Sequence, residues 1–182
     1  RWYVKAPVFS FSKLTGIDAC LSPEMKSTGE AIGYDKTLTR ALYKALKSSG
    51  IHMANYGTVF VTLADKDKDE ALPLIRRFYN LGFNIEATKG TAKFLKENGI
   101  RTRAKEKISE GSDAILESIR KGYVNYVINT SDINSTTQEA DGLLIRRCAV
   151  ENNVAMFTAL DTVKVLLDVL EEITLGISTI DE

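Results

Sequence analysis

The sequence predicts an α/β fold: a doubly wound, five-stranded, mainly parallel sheet with helices on both faces, of the flavodoxin-like or Rossmann-like kind. Three observations carry this. From residue 53 onward, short β-branched apolar runs alternate with segments of helical period. Gly50, Gly82 and Gly99 stand where helical segments stop. The chain has 182 residues, 44% apolar and 26% charged, enough to bury a core without disulfides or metals.

Taken in order, residues 1–33 read differently from the rest. They hold Pro7, Pro23, Gly16, Gly29 and Gly33 and show no helical period. "VFSFSKL" alternates and is expected to be one strand; the remainder reads as loop or as strand edges from a neighbouring domain. Trp2, Tyr3, Phe9 and Phe11 would find little to pack against there. A connecting helix follows in "YDKTLTRALYKALKSSGI", with Leu38, Ala41, Leu42, Ala45 and Leu46 on one face. Asp35 or Thr37 can cap its start, and Gly50 ends it.

"GTVFVTLA" is a buried strand, and "EALPLIRRFYNLG" a helix. Pro73 removes a donor there, which implies a late helix start or a kink. "FNIEA" is the second strand, "TAKFLKENG" a short helix and "IRTRAKEK" an edge-like third strand. "SDAILESIRKG" (helix), "YVNYVINT" (strand), "TQEADGLLIRRCAVENN" (helix), "VAMFT" (strand) and "LDTVKVLLDVLEEITLG" (helix) complete the alternation.

Composition excludes some functions. Lys+Arg and Asp+Glu number 24 each, so no bulk charge holds nucleic acid or a membrane surface, and neither partner is expected. No apolar run approaches the roughly 20 residues of a membrane span. Two cysteines, Cys20 and Cys148, lie far apart in no motif, which points to free thiols in a cytoplasmic setting. No signal peptide is visible, and a start at Arg1 reads as a segment from within a longer protein.

Ligands of doubly wound sheets bind beyond the carboxyl ends of the strands. After the first strand comes "ADKDKDE", either a solvated helix cap or, through Lys68, a phosphate ligand. After the second comes "ATKGTA". Thr88, Gly90 and Thr91 lie at a helix start, where free N–H groups bind anions and glycine admits a ligand to the backbone. A plain threonine cap explains that turn about equally well. After the third strand Lys105 and Lys107 flank Glu106; after the fourth, Asn129, Thr130 and Ser131 offer short polar groups. Hydroxyls, backbone N–H groups and lysines converging on one edge would make an anion pocket, best suited to a phosphate monoester.

These residues resemble the methylglyoxal synthase-like domain: a D-K element after strand one, T-x-G-T after strand two, a lysine after strand three and I-N-T after strand four. The slot of Lys89 varies in that pattern, so Lys89 is not counted as a ligand. With "LSPEMKSTGE" and "IGYDKTLTRALYKAL" in front, the chain is similar to the C-terminal end of the carbamoyl phosphate synthetase large-subunit family. That resemblance implies three parts: residues 1–33 as the tail of an ATP-grasp synthetase domain, 34–52 as a linker helix, and 53–182 as the allosteric domain. It implies a phosphorylated effector (UMP, IMP or phosphoribosyl pyrophosphate) held by Lys68, Thr88, Gly90, Thr91, Lys107, Asn129, Thr130 and Ser131. The parent enzyme would be a glutamine-hydrolysing ligase of pyrimidine or arginine biosynthesis, partnered by a glutaminase small subunit. Its ATP, with magnesium or manganese, would sit outside this chain, which needs no cofactor or metal of its own. The ornithine site of enteric relatives uses a tyrosine and a threonine after the last strand. Thr158 fits but Met156 replaces the tyrosine, so UMP inhibition and phosphoribosyl pyrophosphate activation are expected instead.

Two rivals share the sheet type. A methylglyoxal synthase-like lyase acting on dihydroxyacetone phosphate needs a catalytic aspartate in a glycine-rich loop and a histidine. Here "SDINSTTQEADG" lacks G-G-D, although Asp132 is near, and the lone histidine, His52, precedes the first strand. A phospho-receiver would use Asp65 and Asp67 but finds no acceptor aspartate after "RTRAKEK". The fragment is therefore expected to be non-catalytic.

Overall fold

The computed structural model describes residues 1–8, 29–50, 52–130 and 136–175. The chain divides into two compact units, Arg1–Asn55 with Asp168–Glu182, and Tyr56–Leu167. Among the described residues no helix is long and apolar enough to cross a membrane.

In the first unit, β1 (Trp2–Val8) pairs antiparallel with β2 (Gly29–Asp35), from Trp2 opposite Asp35 to Val8 opposite Gly29. α1 (Leu38–Ser48) follows; the Thr37 hydroxyl caps it by accepting from the Arg40 N–H at 3.3 Å. Of the strand expected in "VFSFSKL", Val8 is the last residue of β1, and the other six positions lie outside the described residues. Gly29–Asp35, whose sequence left loop and strand edge both open up to Gly33, is a strand. Its two glycines and two acids carry low β-propensity, and only the distant β1 supplies its ladder. Trp2 and Tyr3 are exposed, and the Tyr3 ring lies 4.9 Å from that of Tyr34.

The second unit holds β3 (Thr58–Leu63), α2 (Lys68–Asn80), β4 (Asn84–Thr88), α3 (Lys89–Glu97), β5 (Thr102–Lys105), α4 (Ala114–Arg120), β6 (Tyr126–Thr130), α5 (Thr136–Glu151) and β7 (Ala155–Phe157). α6 (Leu160–Leu175) starts within it. The five strands are parallel in the order β5-β4-β3-β6-β7. Counted within the sheet this is 3-2-1-4-5, the Rossmann-type order rather than the flavodoxin one, with the reversal between β3 and β6.

Both sheet faces are covered, which is why the strands read as apolar runs rather than clean alternations. On one face Phe60 and Val127 pack with Ile115, Ile119, Ile145 and Ala149. On the other, Tyr126 stacks near Phe83 and Phe78, with centroids 5.9 and 6.2 Å away. Cys148 is a free thiol buried in the first of these clusters, and burial pushes its pKa up. Pro73 does not delay α2, which begins at Lys68 and carries the proline inside. The donor it lacks would have served the carbonyl of Asp69, an exposed first-turn residue that water reaches.

Candidate functional site

The sheet changes chemistry at its carboxyl edge. Side chains two apart share a face, so Phe60 and Val127 of the core are followed on that face by Thr62 and Asn129, which pair directly. Thr88 extends this row on β4, and Lys105 is its partner on β5. Apolar packing thus gives way to a polar row at the edge where the helices α2 and α3 begin. A cavity of about 190 Å³ opens there, at the β3–β6 reversal.

Six of the sequence-selected residues line that cavity: Lys68, Thr88, Gly90, Thr91, Lys107 and Asn129. Thr88 sits at the cap position of α3 but makes no side-chain cap bond. Its hydroxyl donates to that of Thr91 at 3.4 Å, and Thr91 Oγ1 accepts the Leu63 N–H at 3.2 Å. Both threonines are buried, so the turn is fixed by its own hydroxyls while the helix start keeps its N–H groups uncapped by Thr88. A Cβ added at Gly90 would meet nothing within 4 Å, so the backbone here faces open space.

Lys68 is the first residue of α2 and its side chain is only 21% exposed. Its ammonium lies 2.6 Å from Asp65 Oδ1 and 5.9 Å from the centre of the Phe94 ring. The Lys68 hydrogen bond and charge, with a further contribution from Lys107, hold the Asp65 carboxyl below the usual range. Lys107 enters the cavity from the β5–α4 connection, just before a single 3-10 turn, Ile108–Glu110. Asn129 is 2% exposed at the end of β6.

Thr130 does not line the cavity. It follows Asn129 on the strand, and its Oγ1 accepts the Ala64 N–H at 3.1 Å, tying β6 to the end of β3. Ser131 and Asp132 lie outside the described residues. Lys105 is not in the lining; its ammonium donates to Ser118 Oγ at 3.1 Å and stands 3.6 Å from Glu86. Lys89 turns away to Glu106 and Glu110, at 3.4 and 3.3 Å. Met156 packs against the apolar core, Thr158 is exposed, and neither lines the cavity; nor does His52.

Sequence reasoning missed Asp141 and Gly142 of α5, which line the cavity with Ile115 and Ile145. Asp141 Oδ2 accepts from the Ser109 N–H at 3.2 Å and the Ser109 hydroxyl at 2.8 Å. Aspartate followed by glycine inside a helix costs helix propensity, and that pair is the signal that would have found them. The cavity therefore carries two ammoniums, Lys68 and Lys107, and two carboxylates, Asp65 and Asp141. Among the described residues no cluster of His, Cys, Asp and Glu is suited to a metal ion.

Residues 70–158 match the family model of the MGS-like domain. The fold is that of an MGS-like domain. A methylglyoxal synthase from Elizabethkingia anophelis NUHP1 is structurally similar, with a TM-score of 0.52 and 19% identity. That match covers 63% of this chain and 79% of the synthase. At such identity it speaks for the fold alone. The MGS-like match spans five of the six sequence-selected lining residues, from Thr88 to Asn129, and also Asp141; Lys68 stands just before its start.

Proposed function

We propose that this MGS-like domain binds a phosphorylated, nucleotide-type effector and serves as the regulatory domain of a carbamoyl phosphate synthetase large subunit. One observation carries the binding reading: Lys68, Lys107, the Thr88–Thr91 turn and Asn129 come from four strand ends to one cavity. Two ammoniums, two hydroxyls and the start of a helix are what a phosphate monoester requires. The assignment to that enzyme rests on the resemblance of "LSPEMKSTGE" and "IGYDKTLTRALYKAL". The parent would make carbamoyl phosphate from bicarbonate, glutamine and ATP. UMP, IMP or phosphoribosyl pyrophosphate would act by favouring one state of its synthetase domains over another.

Calorimetric titration of the chain with UMP, IMP, phosphoribosyl pyrophosphate and ornithine tests this. A dissociation constant below millimolar for a phosphorylated ligand, with none for ornithine, is the expected result. Weaker binding of all three phosphorylated ligands would remove the reading.

Lyase chemistry on dihydroxyacetone phosphate is the second reading, favoured by the carboxylates of Asp65 and Asp141 in the same cavity. Proton abstraction needs a base of suitable pKa, and Lys68 holds Asp65 low. Release of methylglyoxal from dihydroxyacetone phosphate by the purified chain would replace the regulatory reading with this one.

Asp65 has its own expected effect. Its carboxylate occupies Lys68 when no ligand is present, so a phosphate must displace it. Asp65→Asn removes the competitor, and phosphate-ligand affinity should rise by about twofold to fivefold, the scale of an exposed ion pair. Unchanged or weaker binding in the same titration would show that Asp65 does not compete.

A further inference from the structure

Lys89 opens α3 between two lining residues, Thr88 and Gly90, yet is absent from the cavity. Its ammonium reaches Glu106 Oε1 at 3.4 Å and Glu110 Oε2 at 3.3 Å. Those two carboxylates bracket Lys107 on the β5–α4 connection. From the opposite side, Asp141 of α5 holds Ser109 through its N–H and its hydroxyl. Segment 106–110 is thus tied to α3 by Lys89 and to α5 by Asp141, and the tied segment carries one of the two cavity ammoniums.

We infer that Lys89 is a positioning residue: by clamping Glu106 and Glu110 it holds Lys107 over the anion pocket. This rests on the phosphate-binding reading of that pocket. Without the clamp, the connection would have to order itself when a ligand arrives, and binding would carry that entropy cost. Each pair is exposed, with side-chain exposures of 57% for Lys89, 61% for Glu106 and 46% for Glu110, so neither alone is worth much. One ammonium shared by two carboxylates on a short connection is a network, and its effect is geometric. The pull of both carboxylates also raises the Lys89 pKa, so the clamp stays charged throughout the neutral range.

Simple attraction between the Lys89 charge and an anionic ligand makes the opposite prediction for the glutamates, and this separates the two. Three variants of the full chain would be titrated with UMP and with inorganic phosphate: Lys89→Gln, Glu106→Gln with Glu110→Gln, and Lys89→Arg. Both clamp-breaking variants should weaken binding by roughly threefold to tenfold, from two exposed pairs. Lys89→Arg should stay within about twofold of the parent, because it keeps the charge that the two carboxylates share. The loss should shrink at high salt. In parallel, amide hydrogen exchange across 106–111 in the ligand-free protein should speed up in Lys89→Gln. Tighter binding in the double glutamine variant, or unchanged exchange across 106–111 in Lys89→Gln, overturns the inference. If the parent protein binds neither probe, the pocket reading itself has failed and the positioning role falls with it, whatever the exchange shows.

Discussion

Lys68→Ala should weaken binding of a phosphorylated ligand by about tenfold to a hundredfold, and adding Lys107→Ala should abolish measurable binding. A hydrogen bond from a charged donor contributes about 1.5–3 kcal/mol, which sets this range. Lys68 has the larger share because its side chain is only 21% exposed and its ammonium lies over the Phe94 ring, 5.9 Å from the centroid. Its removal has a second cost. Asp65 would keep its negative charge in the cavity with its main counter-ion gone, and would repel the phosphate. Lys68→Ala combined with Asp65→Asn should therefore recover part of the lost affinity. Fold stability should hardly change, since the pair stands at the surface on the Asp65 side, where that side chain is 94% exposed. Calorimetry gives the affinities, and thermal unfolding controls for structure. Normal binding by both single lysine variants would remove these residues from the site.

The parallel sheet was legible because its physics is local. Strands buried on both faces must be apolar and β-branched, and "GTVFVTLA" and "YVNYVINT" are. The helix stops were legible because Gly50, Gly82, Gly99 and Gly122 all take positive φ, at +89°, +93°, +79° and +71°, which side chains resist. Strand order was not legible, since nothing in the sequence alone chooses between the Rossmann and flavodoxin orders. The rule that ligands sit beyond strand ends selected Lys68, Thr88, Gly90, Thr91, Lys107 and Asn129, and the fold brings these six to one cavity. The same rule overlooked parity. Asn129 and Thr130 are consecutive on β6, so their side chains leave on opposite faces and only Asn129 lines the cavity. It also overlooked Asp141, because a residue in the body of α5 is invisible to a search of strand ends. β2 was left open between loop and strand edge for a different reason: its pairing with β1 joins residues from 21 (Val8 and Gly29) to 33 (Trp2 and Asp35) positions apart, and local propensity carries no record of that.

Gly33→Ala should be the most damaging single-methyl change in the first unit. Gly33 read as one more loop glycine, but it sits in β2 where α1 crosses closest. An added Cβ would lie 1.9 Å from the Ala41 carbonyl oxygen and 2.4 Å from the Ala45 nitrogen. Both are backbone atoms of α1, so no rotamer change relieves the clash. The fit also explains the helix sequence: Ala41 and Ala45 are fully buried, and small side chains there let α1 lie against the strand. Lys44 fastens the same contact, donating to the Tyr34 carbonyl at 3.1 Å and pairing with Asp35 at 2.7 Å. Gly33 does not take a positive φ, so an alanine would gain about 0.4–1 kcal/mol by restricting the unfolded chain. Overpacking against backbone costs about 1–3 kcal/mol or more and decides the sign. A net loss of about 2 kcal/mol is expected, read as a lower urea midpoint for the first unit. Gly90→Ala is the matched control. It adds the same methyl where nothing lies within 4 Å, inside a helix that favours alanine, so stability should hold or rise slightly. Its cost should appear instead in phosphate-ligand binding, because Gly90 lines the cavity. Equal midpoints for Gly33→Ala and the parent would mean that α1 does not press on β2 as closely as these distances require.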